Sequence, residues 1–251
     1  MKVNKYRKDN NIIHEVEFNN IEEIRRVINK TNSMYERNEE FLEKFNNYFD
    51  KLKEVSMNIN IRYQKQYKTY GKNLSLNRVI TGNVNCYENR ENKKNINIYY
   101  DLINKFNSDE NINLNRFILT YTLINKLIKK GYNVNFIPVL FLKAFDNNKE
   151  NEYIFIKINN FDIKNIFNYN LIQNDKISRV ILPEIIKCLD IDNKEALDYN
   201  GYLLERNEKE NIIGLSNTDM IIDFFTSEDL FKGDILYDSE VFYKKLSLRN
   251  T

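Results

Sequence analysis

The chain has 251 residues, 42% hydrophobic and 29% charged, enough apolar material for one large domain or two small ones. Basic residues outnumber acidic ones by only 38 to 36, so no strong charge footprint marks the chain as a whole. Six glycines, two prolines and one histidine argue against a long flexible linker and exclude a multi-histidine zinc site; neither common nucleotide loop, G-x-G-x-x-G or G-x-x-x-x-G-K-[ST], occurs.

Taken in chain order, residues 12–18 (IIHEVEF) alternate apolar and polar positions and predict a short strand. Asn19 or Asn20 then caps a helix with Glu22 and Glu23 in its first turn and Ile21, Ile24 and Ile28 on its inner face. A second amphipathic helix is expected over Met34–Val55, its aromatic stripe (Phe41, Phe45, Tyr48, Phe49, Leu52) being core packing and no cofactor box. Residues 58–70 fit a strand or an extended loop. LNRVITGNVNCY, from Leu76, predicts a strand pair broken at Gly82.

Residues 95–101 (NINIYYD) alternate again and predict a strand ending in Asp101. A polar loop over 102–112 follows, then a broad apolar helix from Leu114 to Ile128, stopped by Gly131 as a left-handed cap. Residues 133–143 predict a strand that Pro138 moves toward a sheet edge. EYIFIKI, after a short polar turn, is its antiparallel edge neighbour. Beyond these lie a short helix (DIKNIFN), the segment QNDKISRVILPEIIKCL, a strand NIIGLS, and helices near Thr218–Phe225 and Ser239–Leu246. Strands alternating with helices predict an α/β fold: a mostly parallel sheet with helices on both faces. An N-terminal α+β extension (1–90) precedes the α/β region (91–251), as a separate unit or as part of one compact body.

The carboxyl ends of such strands are where ligands gather. Asp101, Asp109 and Glu110 are therefore candidate partner-binding residues. Asp101, with Asp109 and Glu110 in its loop, also offers carboxylates suited to Mg²⁺, and Asp219 with Asp223, four apart on an expected helix, would join it. His14 lies in a strand, where an ordinary structural partner is the default. No G-x-S-x-G elbow accompanies it, so Ser-His hydrolysis has no scaffold. The segment IRYQKQYKTYGKN interleaves Arg62, Lys65, Lys68 and Lys72 with Tyr63, Tyr67 and Tyr70. Cations attract phosphate and tyrosines stack on bases, so this segment is the nucleic-acid candidate. Docking against the acidic stretch that begins at Asp190 and Asp192 explains the same charges. Cys86 and Cys188 are expected as free thiols in a reducing compartment. No apolar run reaches membrane-spanning length, and MKVNKYRKDNN lacks the apolar segment of a signal peptide, which points to a cytoplasmic protein without a membrane partner.

The order of elements after residue 91 resembles the von Willebrand factor A domain. That family carries a metal-ion-dependent adhesion site, Asp-x-Ser-x-Ser after the first strand. Here Asp101 stands at the first position, but Leu102, Ile103, Asn104 and Lys105 follow, so both serines are missing; the resemblance leaves Asn104 and Ser108 as the oxygen ligands that would complete a metal site with Asp101, a departure from the motif. KKGYNV and DKISRVILPEI, within a longer succession of matching segments, are similar to a family of phage and plasmid proteins with no established activity. The resemblance implies a mobile-element origin. The expectation is a non-enzymatic binding protein, in a setting such as host defence, acting on a protein or ribonucleoprotein target without a cofactor. The alternatives are a nucleic-acid-binding protein using residues 62–72 and, third, a Mg²⁺-dependent nuclease or phosphoesterase.

Overall fold

The computed structural model describes residues 1–9, 11–29, 39–52, 66–69, 73–89, 95–102, 110–144, 151–163, 182–189, 204–215, 219–223 and 231–248. Their strands are β1 (Lys2–Lys8), β2 (Asn11–Phe18), β3 (Gln66–Lys68), β4 (Asn73–Leu74), β5 (Tyr87–Asn89), β6 (Asn95–Asp101), β7 (Asn133–Ala144), β8 (Asn151–Ile158) and β9 (Met220–Ile222). Their helices are α1 (Ile21–Asn29), α2 (Glu39–Leu52), α3 (Leu76–Ile80), α4 (Glu110–Lys129), α5 (Leu182–Cys188), α6 (Arg206–Ile213) and α7 (Ile235–Leu248).

Six strands form one sheet in the order β1-β2-β8-β7-β6-β9. The fold is α/β, but the sheet is mixed. β2 with β8, β6 with β7 and β6 with β9 run parallel, whereas β1 with β2 and β7 with β8 run antiparallel. The strands β1 and β2 are part of this sheet, so they share a hydrogen-bonded layer with β6, β7 and β8. The parallel ladder from Asn11↔Asn151 to Phe18↔Ile158 joins them over the full length of β2.

Strict alternation sends one set of side chains to each face. Val16, Phe18, Ile96, Ile98, Tyr100, Phe136, Leu140, Ile154 and Ile156 belong to the larger core, with Ile24 of α1, Phe45 of α2, Phe117 and Leu123 of α4, and Phe242 of α7. Ile13, Val139, Phe141, Tyr153 and Phe155 point the other way and meet Ile212 of α6. Helices therefore cover both faces. Helix α4 is wedged between sheet and helices, which is why even Asn115, Arg116, Thr120 and Thr122 are buried. Asn115 spans to α7, donating from Nδ2 to Asp238 Oδ2 at 2.7 Å. Burial raises the Asp238 carboxyl above its ordinary pKa despite the hydrogen bonds from Asn115 and the Lys232 and Gly233 backbone. Gly131 ends α4 at φ 91°, while Tyr132 N–H returns to the Leu127 carbonyl at 3.1 Å, a Schellman-type closure.

The alternating asparagines of NINIYY and NVNF have a purpose on the second face. Asn133 donates to Asn95 at 2.7 Å, Asn135 to Asn97 at 3.0 Å, and Asn97 to Asp219 at 3.0 Å, an amide ladder across β7, β6 and β9. Tyr6 and Tyr99 share that face, and burial, assisted by nearby carboxylates, raises the pKa of both phenols.

Four local expectations are corrected. LNRVI is helical and not a strand, with Ser75 as its N-cap and Thr81 as its C-cap. Asn211–Ile213 closes α6, and Gly214 caps it at φ 69°, so NIIGLS is no strand. Strand β9 replaces the helix expected at 218–225. Both β7 and β8 are interior strands. Pro138 nevertheless keeps a local edge. Residues 133–139 of β7 pair with β6, whereas residues 139–144 pair with β8, so the ladder changes sides at Val139. Pro138 has no partner in the β8 ladder, and its missing N–H costs no bond there. The helix expected over DIKNIFN (162–168) lies outside the described residues after Ile163, as does most of QNDKISRVILPEIIKCL, apart from α5 and Leu189.

A second, three-stranded sheet has the order β3-β5-β4. It holds α3 between β4 and β5.

Candidate functional site

The site gathers where β6 and β9 end side by side. Tyr100 pairs with Ile222, so Asp101, the last residue of β6, and Asp223, the residue after β9, come next in line at the same sheet end. The chain departs from β6 toward α4 on one face, and β9 lies on its other side below α6. This is a switch point, the place where open α/β sheets leave a crevice for ligands.

Helix α6 is specified locally by a reciprocal capping box between Glu205 and Glu208 and by Gly214 at its end. It buries Lys209 and Ile212, one turn apart, on the sheet. Lys209 Nζ sits 2.7 Å from Asp101 Oδ2, and both side chains are 0% exposed. The ammonium also lies 6.0 Å above the Phe141 ring. From the opposite face Arg116 of α4 donates from Nη2 to the Asp101 carbonyl at 3.2 Å and from Nε to the Tyr100 hydroxyl at 3.3 Å. Its guanidinium stacks 4.9 Å over the Tyr100 ring. Arg206, at the start of α6, donates to Glu210 at 2.7 Å and to the Ile221 carbonyl at 3.2 Å, with Nη1 3.6 Å from Asp223 Oδ1. Asp101 thus faces Lys209, Asp223 and Glu210 face Arg206, and Arg116 holds the β6 backbone from the other side.

Removing such ions from water costs several kcal/mol each, and only close pairing with further hydrogen bonds offsets about that much. The consequence for chemistry is direct. A cation at Asp101 has to compete with an ammonium already in contact with the carboxylate. Among the described residues no group of three or more His, Cys, Asp or Glu side chains is arranged to hold a metal ion.

The sequence-based candidates fall in different places. Asp101 ends its strand as expected, but it is fully buried and not a loop-surface residue, because α6 covers it. Asn104, Ser108 and Asp109 lie outside the described residues, and Glu110 is the first residue of α4. Asp219 and Asp223 do not share a helix face. They bracket β9 at opposite ends, Asp219 receiving the Asn97 amide and Asp223 facing Arg206. Arg62, Tyr63, Lys65, Tyr70 and Lys72 lie outside the described residues. Tyr67 and Lys68 belong to β3, which pairs antiparallel with β5. His14 is buried, and its Nε2 contacts Glu152 Oε1, a structural pairing across β2 and β8. Lys209, Arg116 and Arg206 were not singled out in advance. The available signal was a lysine one turn before Ile212, on the apolar side of a capped helix.

Beside the network, a shallow cleft runs between Lys8, Ile13, Tyr153 and Asn211. The Tyr153 hydroxyl donates to Glu208 at 3.0 Å. Its pKa is pushed up to about 12, first by burial and then by Glu208. Among the described residues no helix is long and apolar enough to cross a membrane.

Fold and site define an α/β protein with a buried charge network at a sheet switch point. Compared with known proteins, the chain matches no family model, no curated protein and no solved structure.

Proposed function

We propose that the chain is a non-enzymatic, cytoplasmic binding protein of phage or plasmid origin. Its sheet is of the von Willebrand factor A kind, with an added N-terminal hairpin. It presents the loops that leave β6 and β9 to a protein or protein–nucleic-acid target. One observation supports this reading above the others: the dry Asp101–Lys209 pair at the end of β6. A carboxylate compensated by an ammonium and sealed from water is suited to fixing the geometry of a platform. It is poorly suited to activating water or to exchanging a hydrated Mg²⁺ ion, which keeps several waters when bound.

The test uses the full chain and the Asp109→Ala/Glu110→Ala variant as baits in extracts of the native host. A stoichiometric protein retained by the wild type in EDTA, and reduced about tenfold or more by the variant at unchanged Tm, supports the reading. Mg²⁺-dependent hydrolysis of a nucleic acid or phosphodiester, abolished by EDTA, overturns it. So does equal recovery by both baits.

A further inference from the structure

Helix α6 has eight residues, and a helix of that length is not stable by itself in water. Its helical state depends on what holds it, and it is held from two sides. Toward β6 and β9 the anchors are buried. Lys209 meets Asp101 at 2.7 Å with both side chains sealed, and Arg206 reaches the Ile221 carbonyl at 3.2 Å. Toward the N-terminal hairpin the anchors are more open to water. Lys8, the last residue of β1, donates from Nζ to the Asn211 carbonyl near the end of the helix. Tyr153 of β8 donates to Glu208 at 3.0 Å. Lys143, in the part of β7 that pairs with β8, lies 3.5 Å from the same carboxylate. Helix α6 therefore crosses the line at Val139 where β7 changes partners, and it ties the two parts of the sheet together.

The two sets of anchors differ in strength. A buried, paired charge is hard to break, because what remains is an unpaired ion out of water. A lysine at the C-terminal end of a helix gains a charge-assisted hydrogen bond and a favourable interaction with the helix dipole, and exposure weakens both. Lys8 is placed by the hairpin itself. It pairs with Asn11 across the turn, where Asp9 takes the left-handed φ of 50°. Its ammonium also sits against the cap of α6, since a Cβ at Gly214 would lie 3.3 Å from Nζ. Between hairpin and helix runs the open cleft, about 350 Å³, lined by Ile13 and Tyr153, so water already reaches this side of the helix.

We propose that the hairpin β1–β2 is a clasp on α6. While Lys8 holds the Asn211 carbonyl, the helix stays seated and the Asp101–Lys209 pair stays dry. When Lys8 lets go, the helix opens from its C-terminal end and admits water to that pair. Lys209 is the fourth of the eight residues, so loss of the last turn alone brings the opening up to it. A group that draws Lys8 away from α6 thus loosens the end of β6 from the other edge of the sheet. Linkage runs both ways, and whatever braces the ends of β6 and β9 steadies the hairpin. The clasp belongs to the free chain and holds whether or not the loops of β6 and β9 bind a partner.

Hydrogen exchange read by mass spectrometry on the full chain compares wild type with Lys8→Met, and with Lys2→Met at the exposed far end of β1 as control. The amides that close α6 run from Lys209, bonded to the Glu205 carbonyl, to Gly214, bonded to the Glu210 carbonyl. They should exchange about fivefold faster or more in Lys8→Met and at the wild-type rate in Lys2→Met, with α4 unchanged in both. Lys209 should become more reactive toward N-hydroxysuccinimidyl acetate by about the same factor, because the reagent acylates only an amine that opens to water. Tyr153→Phe removes a second anchor on the hairpin side and should act in the same direction. Exchange in α6 and acylation of Lys209 that stay within about twofold of wild type in both Lys8→Met and Tyr153→Phe overturn the proposal. So does an equal rise in α4, which is loss of global stability and not release of a clasp, or a rise in α6 in Lys2→Met.

Discussion

Two regions of this molecule invert the usual partition between inside and outside. At the ends of β6 and β9, an aspartate and a lysine are sealed from water. In the small sheet, isoleucine, leucine and valine stand in it. The first region is expensive to form and is held by partners on three elements. In the second, helix α3 buries none of its residues. The difference separates two environments: charge that is buried and paired, and apolar surface that stands in water.

The comparison breaks most visibly at Lys209. Lys209→Met leaves Asp101 buried beside an apolar chain, and stability should fall by about 3–5 kcal/mol. Adding Asp101→Asn should recover much of that loss. Urea unfolding of the single and double variants measures both, and a single variant within 1 kcal/mol of wild type, roughly the worth of an exposed pair, refutes the buried-pair account. Phe45→Ala comes next. Its ring packs edge-on to Tyr121 at 5.3 Å and near Phe117 at 6.3 Å in the large core. A loss of about 3 kcal/mol or slightly more is expected from thermal and urea unfolding, by burial and cavity alone.

A smaller effect sharpens the comparison through pH. Burial raises the Tyr153 pKa to about 12, and it also raises those of Tyr6, Tyr99 and Tyr243. A phenol whose folded pKa lies above its unfolded value contributes stability that is fully present below about pH 10. As pH rises from there through the folded value, the unfolded chain ionises first and that contribution is lost. Tyr153→Phe should therefore flatten the decline of urea-derived stability between pH 9.5 and 11.5. An identical decline in wild type and variant would show that Tyr153 does not contribute. The least effect belongs to the exposed sheet. Val84→Ser and Ile80→Ser should move stability by no more than about 0.5 kcal/mol. A loss comparable to Phe45→Ala in calorimetry would mean that these side chains are buried in solution.

Much of the fold was legible where the pattern is long and local. NINIYYD, the helix closed by Gly131, and the pairing of β7 with β8 follow from alternation, capping and a short turn. β9 was not legible. DMIIDFF has three apolar residues between aspartates and suits a turn of helix as well as a three-residue strand. Its strand state depends on the ladder from Met220↔Ile98 to Ile222↔Tyr100, formed across more than a hundred residues. The same holds for β2 beside β8. Asp101 was recognised by its place at a strand end. Its burial was not, because Lys209 reaches it from a helix that the local pattern assigned partly to a strand. The aliphatics of LNRVITGNV carried a period too short to tell strand from helix, and nothing in their spacing shows that they face water.

The change of sides at Val139 has a mechanical meaning. β7 is held by β6 through its first half and by β8 through its second, with one residue common to both ladders. The sheet is thus two smaller sheets, β1-β2-β8 and β6-β9, spliced through a single strand as a scarf joint holds two beams. Amide hydrogen exchange should divide along that splice, one population reporting the opening of the N-terminal hairpin half and another the half that carries the buried ion pair. Force applied across the sheet should part it at the joint before either ladder unravels.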